Sequence, residues 1–167
     1  DGLWDAFYNR HMAVHGSEVG DEFGITRQDQ DEWALRSQMA AVEAMKTGKL
    51  DDEIFPVEVK QGKKIIIFDK DEGPRPETTM EGLAKLPAVF NHKSPVTGNP
   101  GSVTAGNAPS VNDGGDVCLV MSREKADELK IKPLFTILDY TEVSQPPKDI
   151  ATVPGLAIKK ILEQNDM

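Results

Sequence analysis

Apolar and polar positions alternate along this chain in three registers, and each register predicts a different element. After Ile25, the residues Ala34, Ser37, Ala41 and Ala44 recur at helical spacing, with Trp33 at the edge of the stripe. Thr26 is suited to cap that helix, Asp29 stands three residues on as its capping-box partner, and Asp31 and Glu32 favour the positive end of its dipole. Lys46 and Gly48 supply a stop. The small side chains predict close packing of this face against a neighbour.

A run of β-branched and aromatic residues covers 54–59, breaks at Gln61-Gly62-Lys63, and resumes at 64–68. That pattern predicts a β-hairpin whose first strand is placed at an edge by Pro56. Thr78 with Glu81 predicts a short helix carrying Leu83 and Leu86. Two runs, 117–121 and 135–138, are continuously apolar and predict buried strands, each followed by a helix: one capped by Ser122, the other starting near Pro154. Strand, helix, strand, helix implies a right-handed parallel unit. The fold class is therefore α/β. A helical first two-thirds with a small hairpin precedes part of a sheet whose other strands are not in the sequence.

Between these parts, residues 87–116 shift to Gly, Pro, Asn and Ser, and so long an irregular stretch is more often functional than idle. Within it, residues 103–115 are small, polar and rich in glycine, and Pro109 is suited to the first turn of a helix. Such a corner lets a substrate backbone approach and offers it free N–H donors. An ordinary tight crossover loop would read the same way.

Composition narrows the class. With 167 residues the chain has the length of about one domain and can bury a core. It is 38% hydrophobic and 28% charged, as in ordinary globular chains. Nothing approaches the apolar length of a membrane span. Twenty-eight acidic against nineteen basic residues give a net charge of −9 with no compensating basic run, which argues against nucleic-acid binding. A single cysteine excludes an internal disulfide framework and, with no Asn-x-Ser/Thr acceptor, fits a reducing, intracellular setting. The chain opens on Asp1-Gly2-Leu3-Trp4, which reads as a segment of something longer.

The candidate chemistry is sparse. His11 and His15 are four residues apart but lack the glutamate of His-Glu-x-x-His and an evident third ligand, so no metal site is expected. The acidic run at 69–72 departs from a calcium loop at its glycine and final glutamate positions. Cys118 lies inside an apolar strand candidate and is expected to be buried, protonated and slow to alkylate. No Gly-x-Ser-x-Gly elbow or phosphate loop is present. No complete catalytic set is legible.

Residues 103–114, Val-Thr-Ala-Gly-Asn-Ala-Pro-Ser-Val-Asn-Asp-Gly, resemble the Thr-Ala-Gly-Asn-Ala-Ser-x-x-Asn-Asp-Gly signature of the thiolases. Asp1-Gly2-Leu3 through His11-Met12, Arg27 through Gln30-Asp31, Glu53-Ile54 with Pro56-Val57, Asp71-Glu72 with Arg75, and Ala84-Lys85-Leu86 fall in the same family's order and spacing. The resemblance implies a partial thiolase-like fold: residues 1–102 as the loop domain, and 103–167 as the start of the C-terminal α/β half. It implies coenzyme A or acyl-CoA as the substrate partner, with no separate cofactor. His11 and Met12 would line the pantetheine channel, Arg75 would pack on the adenine near the phosphates, and Leu3, Leu83 and Phe90 would form apolar walls. Ala108, Pro109 and Ser110 would border the site. It places the nucleophilic cysteine, the Gly-His-Pro histidine and the acid/base cysteine in stretches outside this chain, so that no catalytic residue is expected here.

Three departures bear on specificity. Pro109 stands at the family's serine, and proline has neither hydroxyl nor N–H, which leaves Ser110 as the only replacement. Ala13-Val14-His15-Gly16-Ser17 replaces the usual Gly-x-x-Ala-Glu and is expected to put a second imidazole near the channel mouth. The stretch 91–102 is longer than the usual connection. The implied whole is a thiolase-type acyltransferase that forms or cleaves 3-ketoacyl-CoA, a homo-oligomer (dimer or tetramer), cytoplasmic or, in a eukaryote, mitochondrial or peroxisomal. The alternative from another class is a non-catalytic CoA-binding or scaffolding subunit beside a partner that carries the cysteines.

Overall fold

The computed structural model describes residues 2–90, 92–94, 97–112 and 114–167. Asp1, Asn91, Pro95, Val96 and Asp113 lie outside the described residues, so the expectations that include them (the extreme N-terminus, the full 91–102 connection and the complete signature) are followed only in part. The chain forms two compact units, Asp1–Ser110 and Val111–Met167.

The first unit opens with two short antiparallel strands, β1 (Trp4–Asp5) and β2 (Arg10–His11), in register Trp4↔His11 and Asp5↔Arg10. The connecting turn is built by Asp5, whose Oδ1 accepts from the Phe7 and Tyr8 N–H groups, and by Asn9 at φ 50, a conformation asparagine tolerates. His11 then caps α1 (Met12–Glu22), its Nδ1 accepting from the Ala13 N–H.

Helix α2 (Arg27–Lys46) begins and ends where the sequence predicts. Thr26 and Asp29 form both halves of the capping box. Its buried face differs from the small-residue stripe. Asp31, Ala34 and Val42 are buried, whereas Ser37 is exposed and Ala41 and Ala44 are half-buried. The cause is polar: Arg27 and Asp31 both find partners on neighbouring segments, and those bonds set the rotation of the helix.

The hairpin pairs β3 (Val57–Gln61) with β4 (Lys64–Phe68), and Gly62 at φ 63 takes the first position of the two-residue turn. Helix α3 (Met80–Ala84) is capped by Thr79, one residue later than Thr78; the Thr79 side chain accepts from Gly82 N–H. Among the described residues the largest fully buried side chains are His15, Thr104 and Asp31, all polar and all in this unit. Its core is therefore fastened by hydrogen bonds as much as by the buried Val14, Val19, Ala34, Val42 and Leu83.

The second unit contains α4 (Arg123–Glu128), capped by Ser122 as expected, a 3-10 turn (Pro147–Thr152) and α5 (Val153–Gln164). The two predicted strands do not form among its described residues: 117–121 and 135–138 carry no ladder, and Val117, Leu119, Phe135 and Leu138 are exposed. A strand exists only with a neighbour to take its N–H and C=O groups, and this unit supplies none. For the same reason the expectation of a buried Cys118 is overturned, because the thiol is exposed. Among the described residues no helix is long and apolar enough to cross a membrane.

Candidate functional site

The glycine-rich corner folds as a single closed turn. The Thr104 N–H donates to Asn107 Oδ1 at 2.7 Å, Thr104 Oγ1 accepts from the N–H groups of Gly106 and Asn107, and the Ala108 N–H donates to Thr104 O at 3.0 Å. Asn107 Nδ2 donates to Asp31 Oδ1 at 2.9 Å and to Ser102 O at 3.1 Å. Asp31 Oδ2 in turn accepts from Arg27 Nε at 2.8 Å, and Arg27 Nη2 donates to the carbonyls of Leu83 and Leu86. One polar row therefore fixes the turn to α2 and to α3.

Gly106 needs its missing side chain at this junction. A Cβ there would stand 2.5 Å from Leu86 Cδ1 and 2.6 Å from Leu83 Cδ2. The preceding segment is held equally firmly. Ser17 Oγ on α1 accepts from the N–H groups of Ser102 and Val103, the Val89 N–H donates to Val103 O, and Ala88 bridges Thr104.

The expected site residues divide into three groups. Leu3, His11, Met12 and Phe90 come together: the Met12 N–H donates to Leu3 O at 2.9 Å, and the His11 and Phe90 rings meet at 4.7 Å between centroids. Leu83 is 4% exposed and packs under Gly106, so in this chain it is a core residue of the turn rather than an open wall. Arg75 is exposed and is placed by its backbone N–H, which donates to Gln38 Oε1 of α2; among the described residues no hydrogen bond or ion pair engages its guanidinium. Among the described residues no hydrogen bond, ion pair or ring contact joins it to the His11 group.

Ala108 is half-buried, and Pro109 and Ser110 are exposed. Pro109 begins no helix: the chain is irregular from there to Ser122 among the described residues, so the expected row of helical N–H donors is absent. The turn offers Asn107 and Thr104 instead, already used internally.

His15 is also corrected. It is 1% exposed and does not face a channel mouth. Its Nε2 meets Asp5 Oδ2 at 2.6 Å and its Nδ1 meets Arg10 Nη2 at 2.8 Å. With both nitrogens engaged, and His11 Nδ1 engaged as a cap, the pair does not form a metal site. No group of three His, Cys, Asp or Glu among the described residues could hold a metal ion. A groove of about 480 Å³ between α2 and α3 is lined by Arg27, Gln28, Asp31, Met80, Glu81 and Ala84, and contains none of the expected site residues.

Sequence reasoning missed the Arg27–Asp31–Asn107 row. The i,i+4 spacing of Arg27 and Asp31 was visible, but such pairs usually sit on a solvated face. The signal that could have raised it is an asparagine inside a glycine-rich turn, whose side-chain amide must find partners.

Three carboxyls near these elements titrate low: Asp29, held down by the Thr26 hydroxyl and then its N–H, and Asp5 and Asp21. Burial pushes the Asp5 carboxyl up, but the Phe7 N–H, the His15 ring and the Tyr8 N–H outweigh it and leave Asp5 below the usual range. The Thr97 hydroxyl and then the Asn99 amide hold Asp21, near the end of α1, below its usual range. A lowered carboxyl stabilises the fold above its ordinary pKa of about 3.9, and that stability is lost as pH falls through the lower folded value. Asp21→Asn should therefore flatten the acid limb of the stability–pH curve below about pH 4. Thermal melts of both proteins across that range check this, and an unchanged acid limb would contradict it.

The family model described as "Thiolase, N-terminal domain" matches residues 1–124. The acetyl-CoA acetyltransferase of Syntrophomonas wolfei is 42% identical over 163 residues, which are 98% of this chain and 39% of that protein. Among solved structures, the Bacillus anthracis acetyl-CoA acetyltransferase aligns with a TM-score of 0.85 at 40% identity, over 98% of this chain and 40% of its own. Human mitochondrial 3-ketoacyl-CoA thiolase aligns with a TM-score of 0.80 at 30% identity, over 99% of this chain and 40% of its own. The chain thus spans about 40% of the relatives it matches. Its α/β fold is part of theirs, and the turn that Asn107 closes lies inside the matched stretch: the chain belongs to the thiolase family.

Proposed function

We propose that this chain is the coenzyme A-facing segment of a thiolase-type acyltransferase, one that moves acyl groups between CoA thioesters by forming or cleaving 3-ketoacyl-CoA. The observation that carries the reading is the joint placement of His11, Met12, Leu3 and Phe90 beside the signature stretch in a chain that matches the family throughout. On this reading residues 1–102 correspond to the loop domain and 103–167 to the opening of the C-terminal half. The exposed apolar runs 117–121 and 135–138 are then strands whose neighbours belong to other parts of the protein.

The chemistry of the ligand suits these residues. Pantetheine is a thin amide-bearing chain that apolar walls and a ring stack can flank, with Ala108, Pro109 and Ser110 along its course. The adenine and phosphates need a flat cation, and the unengaged Arg75 guanidinium supplies one in a chain of charge −9. CoA acts as a substrate, not a resident cofactor. The proline at 109 leaves one side of the thioester without a donor, so Ser110 takes that place. The whole protein is proposed to act as a cytoplasmic homo-oligomer.

Arg75→Ala should weaken CoA binding by about 1–3 kcal/mol, or roughly 5- to 150-fold. Calorimetric titration of CoA into the full protein tests this; equal affinity in the variant would remove Arg75 from the site.

A further inference from the structure

The buried polar row under the β1–β2 turn takes no part in the site described so far. Arg10 of β2 makes a two-pronged pair with Glu18 of α1, Nη1 to Oε1 at 2.8 Å and Nη2 to Oε2 at 2.6 Å. The same Nη2 meets His15 Nδ1, while His15 Nε2 meets Asp5 of β1. Tyr8, from the connecting turn, stands edge-on to the His15 ring at 5.5 Å, and the Arg10 guanidinium lies over the Tyr8 ring. Asp5, Tyr8, Arg10 and, through Arg10, Glu18 are the titratable and charged groups that face this imidazole.

The chemistry fixes the tautomer. A guanidinium only donates, so Nδ1 of His15 must be the lone-pair nitrogen, and the ring proton sits on Nε2 and is donated to Asp5. A second proton on Nδ1 would turn that acceptor into a donor aimed at a cation 2.8 Å away. With His15 only 1% exposed, little solvent screens that repulsion. The Asp5 end would tighten and the Arg10 end would part. Arg10 is the residue before His11, so a shift of β2 moves the His11 ring relative to Phe90.

We propose that His15 is a positioning residue. It holds Arg10, and through β2 the His11–Phe90 stack, only while its Nδ1 carries no proton. The clamp itself stands on these contacts alone; its consequence for CoA rests on the reading of His11 as a CoA-channel residue.

The test compares the full protein with its His15→Gln variant, whose amide can accept from Arg10 and donate to Asp5 but cannot take a charge. The reporter is the Met12 amide, bonded to Leu3 O, followed by hydrogen exchange corrected for intrinsic rate. From about pH 8 to about pH 5, the range in which imidazoles charge, protection should fall about tenfold or more in the parent and stay level in the variant. CoA affinity should fall with it, by about fivefold or more, in the parent only. Level protection in the parent, or an equal step in the variant, would overturn the clamp. Stepped protection with level CoA affinity would overturn its link to the site. If neither protein binds CoA at either pH, the proposed function fails while the exchange comparison still decides the clamp. Should the variant not fold, ring ¹⁵N shifts of the parent decide: a lone-pair Nδ1 on His15 at about pH 8 supports the proposal, and a protonated Nδ1 overturns it.

Discussion

Asn107→Ala is expected to destabilise the Asp1–Ser110 unit by about 3–5 kcal/mol, a large fraction of an ordinary domain's stability. The loss has three parts. The Thr104 N–H loses its acceptor in a residue that is 0% exposed, the Ser102 carbonyl loses a donor, and the Asp31 carboxylate, 2% exposed, keeps only Arg27. Each orphaned buried group costs about 1–3 kcal/mol, and alanine fills none of the roles. Asn107→Asp should be no better despite its shape, because it sets a second carboxylate where Asp31 Oδ1 now accepts at 2.9 Å. Urea unfolding of parent and variants reads the effect as a lower midpoint at unchanged slope. A shift of less than about 1 kcal/mol would mean that the row does not hold the turn.

The second large effect is catalytic. The 167-residue chain on its own should not cleave acetoacetyl-CoA above a boiled control, a deficit of many orders of magnitude against a complete enzyme. Acyl transfer through a thioester needs an activated thiolate with a base in reach, then a second acid/base. Cys118 is exposed, but the Val111–Met167 unit that carries it contains no histidine. In the other unit His15 is buried with both nitrogens engaged. The assay follows loss of the enolate absorbance on adding CoA. Turnover that survives Cys118→Ala would place the chemistry in residues assigned no such role here.

Helices α2, α4 and α5 were legible because their signals are local, whereas α1, which the His11 side chain caps, was not. Thr26 with Asp29, and Ser122, announce their caps within one turn of chain, and Gly62 announces the hairpin. What could not be read depends on distant partners. The runs 117–121 and 135–138 have the composition of buried strands, yet burial requires neighbours that this chain does not supply, and Cys118 is exposed with them. His15 looked like a channel residue by its nearness to His11. Only the fold brings Asp5 and Arg10 to its two nitrogens, ten and five residues away. The resemblance to thiolases identified the family from motif spacing, but spacing alone did not separate Leu83, packed under Gly106, from the open residues Arg75 and Ser110.

The central claim, that this chain presents a coenzyme A-facing surface built from the β1–β2 turn, Arg75 and the signature stretch, is tested most directly by footprinting. Hydroxyl-radical labelling of the full protein with and without saturating CoA reports side-chain cover residue by residue. The account predicts protection of Leu3, His11, Met12, Arg75 and Phe90, with Pro109 and Ser110 less exposed to labelling, while the exposed Trp33 of α2 and the hairpin residues Ile65 and Ile67 stay unchanged. Protection confined to Met80 and Glu81 in the α2–α3 groove, or no difference at all with CoA present, would contradict it.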